Sequence, residues 1–156
     1  MEMEKVVQWV KTIVLKTGRH LPTILFSGTE RRDVVFLGDL PNHYAEKIIC
    51  MRDAGRHASA RHNVGKLNKV FLIMEAWMVK LENGMPFIPA HQHPARVEVL
   101  VISCLDMQTQ EQTVTTLEYV RDEQENLIEI KESWLPHGVR AESPLLPAFV
   151  AGYSGS

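Results

Sequence analysis

The first stretch of the chain carries its apolar residues at a helical period. From about Glu2 to Thr17, Val6, Val7, Trp9, Val10, Ile13 and Val14 fall on one stripe, with Lys5, Gln8, Lys11 and Lys16 around it. This pattern predicts an amphipathic helix. Lysines toward its end suit the negative pole of the helix dipole, and Gly18 is placed to cap it. Two short apolar runs, TILFSG and DVVFLGDL, flank the polar stretch GTERRD and predict a β-hairpin. Asp39-Leu40-Pro41-Asn42 then signals the start of a second helix, over about Asn42 to His62, with Tyr44, Ile48, Met51 and Ala58 facing inward. Gly55 stands mid-helix beside alanines, where it marks a close approach to a neighbour or a weak point.

After Gly65 the period changes. KVFLIMEAWMV (Lys69 to Val79) is apolar on both faces, as a central strand should be. A loop with Gly84, Pro86 and Pro89 leads to RVEVLVISCLD (Arg96 to Asp106), a second long strand. QTVTTLEYVRD (Gln112 to Asp122) and NLIEIKESW (Asn126 to Trp134) follow across links short enough for hairpins, so the last three strands predict an antiparallel meander. The tail, residues 143–156, is apolar but broken by Pro144 and Pro147. It reads as too short and too proline-rich for a helix. Left exposed it would be an apolar patch that soluble monomers avoid, so it docks on its own domain or on a neighbouring subunit. The order α-β-β-α-β-β-β-β implies a single α+β domain over residues 1–156, with two helices on one face of a mainly antiparallel sheet.

Composition narrows the function classes. With 156 residues, 45% hydrophobic and 23% charged, the chain can bury a core without staples. Seventeen basic and 19 acidic residues are interspersed, and the net charge of −2 gives no concentrated positive field for nucleic acid or an anionic membrane. The N-terminal segment lacks a signal-peptide layout and no apolar run reaches the ~18 residues of a membrane span, so the expected compartment is the cytoplasm. Cys50 and Cys104 sit in apolar settings and read as buried free thiols.

The segment AHQHPARVE comes closest to chemistry. His91 and His93 stand one residue apart and Glu98 follows, a spacing that can chelate a divalent metal. A cupin metal site has a similar first motif, but its second motif needs a histidine where Ala141 stands in PHGVRA. A JAMM-type zinc peptidase has His-x-His-Pro followed by Ser-x-x-Asp. Here Ser103 and Asp106 follow His91 and His93 two residues too late, and Glu30 lies in a turn. Both layouts are incomplete. The alternative is that the two histidines are solvated polar residues of an exposed loop. Glu75 interrupts the most apolar strand, where it would be either a general base or a structural carboxylate held by an arginine or a helix terminus. Glu98 would fall close to Arg121 if the turn near Gln108 is tight. On the second helix Arg52 and Arg56, four apart, give a basic face, either an anion-binding surface or a solvated one.

VFLIMEAWMV, HPARVEVLVISCLD and LEYVRD together resemble a group of small uncharacterised bacterial proteins. The group is marked by Glu-Ala-Trp-Met on one strand (Glu75 to Met78) and His-Pro-x-Arg-x-Glu-Val-Leu approaching the next (His93 to Leu100). The resemblance implies no activity. The sequence therefore leads to a non-catalytic binding or assembly domain, self-associating as a homodimer through its tail, with no cofactor. A metal-dependent enzyme using His91, His93 and Glu98 or Glu75 is the alternative.

Overall fold

The computed structural model describes residues 1–80, 82, 84 and 88–155. Among them are three α-helices, α1 (Met3–Thr17), α2 (Tyr44–Arg61) and α3 (Leu145–Ser154). The strands are β1 (Thr23–Gly28), β2 (Arg32–Phe36), β3 (Leu67–Met78), β4 (Val97–Asp106), β5 (Gln112–Arg121), β6 (Leu127–Glu132) and the short β7 (Val139–Arg140). All pair antiparallel in one sheet of order β2-β1-β3-β4-β5-β6, and β7 pairs with β5. The α+β class and the hairpin-linked strands thus match the sequence pattern. Pro86, in the loop before β4, lies outside the described residues.

Register explains the layers. Side chains alternate across a strand, so β3 sends Val70 and Leu72 to one face and Phe71 and Ile73 to the other. The first set joins Ile24, Phe26, Met51, Ala58, Leu146 and Phe149 under α2 and α3. The second joins Leu25, Leu100, Ile102 and Leu117 under Val6, Val7, Val10 and Val14 of α1. The helices therefore lie on both faces, one against one side and two against the other, where the sequence pattern placed two on a single face. An amphipathic stripe shows that a helix is buried, not which side of a sheet buries it.

The tail corrects a second expectation, because it forms helix α3. Pro147 falls in the first helical turn, where its missing N–H would have had no intrahelical partner. Leu146, Ala148, Phe149 and Tyr153 are buried against α2. Gly55 and Gly152 let the two helices meet. A Cβ on Gly152 would lie 2.0 Å from the Arg52 carbonyl oxygen, and one on Gly55 2.1 Å from that of Phe149. Gly55 thus marks a close approach, with α3 as its partner. The Tyr153 hydroxyl ties the far end, donating to the Gly65 carbonyl at 2.6 Å and accepting the Val64 N–H at 3.0 Å. Tyr44, expected to face inward, is exposed and hydrogen-bonds Ser143. No described helix is long and apolar enough to cross a membrane.

Candidate functional site

Glu75 continues the β3 face that carries Phe71 and Ile73, and reaches past the C-terminal end of α1. There its Oε2 accepts the His20 backbone N–H at 3.2 Å, holding the link from α1 into β1. Glu98 and Arg121 share this face on β4 and β5 and form the cross-strand pair that their spacing suggested, Nε to Oε1 at 2.5 Å. The pair and its hydrogen bond raise the Arg121 pKa above its ordinary value. The rest of the Arg121 fork donates to the carbonyls of Gly18, at the α1 C-cap, and Glu125, in the β5–β6 turn, each at 3.0 Å. One guanidinium therefore joins a helix end, two strands and a turn. Its plane also lies over Tyr119, 5.4 Å from the ring centroid.

Tyr119 is the residue of this cluster that sequence reasoning missed. It is buried, and among the described residues its hydroxyl has no hydrogen-bond partner. Burial first, and the neighbouring Glu75 carboxylate second, push its pKa far above the usual phenol range. Glu75 is close enough to act on the hydroxyl electrostatically without meeting hydrogen-bond geometry. Its place in the alternation of LEYVR, facing Glu98 across the ladder, was the available signal. Glu75, Glu98 and Arg121 of the cluster are bonded to backbone or to one another, and the Tyr119 hydroxyl stands unbonded beside them. One oxygen of Glu75 is thus bonded to the backbone of the α1–β1 link.

The histidines divide. His91 is exposed in a 3-10 turn at Ala90–Gln92, as the solvated reading expected, but His93 is only 2% exposed. His93 Nδ1 accepts the Ala95 backbone N–H at 3.0 Å, and its carbonyl accepts the Arg96 N–H at 3.1 Å. The imidazole proton is then on Nε2, which is buried and, among the described residues, unpaired. A ligand bond through Nε2 would move that proton to Nδ1 and break the Ala95 bond. His93 so fixes the turn into β4, and Glu98 faces Arg121. Among the described residues no three His, Cys, Asp or Glu side chains are placed to hold a metal ion.

The remaining candidates are also engaged by the fold. Asp106 caps the β4–β5 turn, accepting the Gln108 N–H at 2.9 Å. Cys50 and Cys104 are free, and burial raises the Cys104 pKa to about 11, which leaves the thiol unreactive near neutrality. On the basic side of α2, Arg56 pairs with Asp53 at 3.0 Å. His62, at the α2 C-cap, meets Asp33 at 3.1 Å, and the Val34 N–H above all, with His62 after it, holds the Asp33 pKa below its ordinary value.

Among the described residues, two surfaces bear further on function. One is the outer side of α3, where Pro147 is exposed and Ala151 half-buried, while Leu145 and Val150 pack in part against the core under α2. The other is an open cleft between α1 and the edge hairpin β1–β2, into which Trp9 faces. No protein-family model, curated protein or solved structure matches the chain.

Proposed function

We propose that this chain is a non-catalytic binding and assembly domain that pairs with a second copy of itself through the outer side of the 143–156 tail. The observation that carries the reading is the composition of α3. LLPAFVAGYS has no charged residue on any side. A helix that packs on one side and meets water on the other carries polar residues outward, whereas one that is apolar all round belongs in an interior. The inner side of α3 already fills its own domain, so the outer side is what remains to be covered.

A stable pair takes roughly 800 Å² from each partner. The contact therefore extends onto α2, where Tyr44, Ile49 and Arg52 are exposed. Aromatic residues and arginine suit the middle of such an interface. Two free cysteines and the absence of an apolar spanning helix among the described residues support a cytoplasmic setting. The backbone bonds of Glu75 and His93 and the ion pair of Glu98 with Arg121 support a non-catalytic role.

Sedimentation equilibrium tests the proposal. The expected result is a dimer at micromolar concentration, and a monomer of unchanged circular dichroism for Pro147→Glu combined with Ala151→Lys. A strictly monomeric parent chain over the same range overturns it.

A further inference from the structure

The cleft beside α1 has a volume of about 630 Å³ and is lined by Val6, Trp9, Leu25 and Val34, with Lys5 and Arg32 also on its wall. Val6 and Leu25 are buried and form the floor, while Trp9 is 43% exposed and stands along one side. Lys5 and Arg32 are exposed, and among the described residues neither side chain has an ion-pair or hydrogen-bond partner. The nearby acids are already engaged. Glu4 turns toward His137 at 2.6 Å and Glu2 toward Lys69 at 3.8 Å. Asp33 also borders the cleft, but its Oδ2 is held by Arg31 and His62 and its Oδ1 accepts the Val34 N–H.

We propose that this cleft binds a small amphipathic monoanion, an acyl or aryl carboxylate, with its apolar body against Trp9, Leu25 and Val34 and its carboxylate between Lys5 and Arg32. The volume lies in the range of small-molecule sites, and an apolar floor with a few polar groups at the mouth is their usual make-up. A guanidinium fork matches a carboxylate in two hydrogen bonds, and an ammonium beside it adds a second cation. A single negative charge fits better than two, because Glu2 and Glu4 lie in the same first turn of α1 as Lys5. The cleft and α3 lie on opposite faces of the sheet, so pairing through α3 leaves the cleft open and the two proposals stand apart.

The probe is decanoate, titrated below its micelle concentration into the 15N-labelled full chain. The expected result is a saturable shift of the Trp9 indole N–H, with the dissociation constant raised about tenfold or more by Lys5→Glu with Arg32→Glu. Both positions are exposed, and the backbone amide spectrum of the double variant reports its fold. On the unaltered chain, decyltrimethylammonium should leave Trp9 unmoved. A shift that does not saturate overturns the proposal, as does equal binding of the cationic amphiphile. An unchanged constant in the folded double variant does the same, and so does a response confined to phosphatidylglycerol vesicles, which would make the patch a membrane contact.

Discussion

On the α2/α3 face of the sheet, two helices meet over Gly55 and Gly152, and Phe149, Phe26 and Tyr153 fill the space beneath them in tilted and edge-on contacts. On the other face a single helix crosses a sheet wider than itself. It leaves a polar cluster beyond its C-terminal end and a cleft along one side. The two faces use the same strands and nearly the same apolar residue types. What differs is how many helices cover them, and so where groups remain uncommitted. One face is closed by shape, with backbone against backbone; the other is pinned at its margins by ion pairs and hydrogen bonds.

Substitutions on the two faces should separate these modes of closure. Phe149→Ala empties a fully buried position under α2 and should cost about 4 kcal/mol, read from urea unfolding. Gly152→Ala adds one methyl group where the Arg52 carbonyl stands. It should cost about 3 kcal/mol by forcing the helices apart; a loss below half of that would mean the crossing is loose. On the α1 face, Arg121→Ala removes the partner of Glu98 and the donor to Gly18 and Glu125. About 2 kcal/mol is expected, with amide exchange rising at the C-terminal turn of α1 while α3 keeps its protection. Equal loosening of α3 would show that the faces are not independent.

The smallest effect belongs to His137, which joins Glu4 of α1 to Glu132 of β6. The hydrogen bond to Glu4, and then that to Glu132, raises its pKa above 6.5. A raised folded value means that the stabilisation is complete below the unfolded pKa and is lost as the pH climbs through the folded one. Because both carboxylates are largely exposed, the contribution is on the surface-pair scale, below about 1 kcal/mol. His137→Gln should therefore lower the melting temperature more at about pH 5.5 than at about pH 9. A gap that is constant with pH would assign His137 a packing role instead.

Much of this was legible in the residues. The runs that became β3, β4 and β5 carry enough β-branched and apolar residues to identify themselves, and Gly55 announced a close neighbour. Trp9 was misleading. It lies roughly 115° around the helix from the middle of the buried arc, at the margin of a stripe wider than the sheet could cover, and so it borders the cleft instead of the core. The helix in the tail was missed because proline is penalised by its place in the turn, and that place cannot be known before the turn is. His93 looked like half of a chelating pair, yet its neighbour Ala95 takes its lone pair through a local turn that spacing does not encode.

The Arg121 staple bears on the order of events in folding. The contact with Gly18 spans 103 residues, and if it closes after the β-meander and the first helix have come together it belongs to the late part of folding. Removing an interaction that is absent from the rate-limiting barrier speeds escape from the native state without slowing its arrival. In this protein the guanidinium would act as a latch on the lifetime of the folded form.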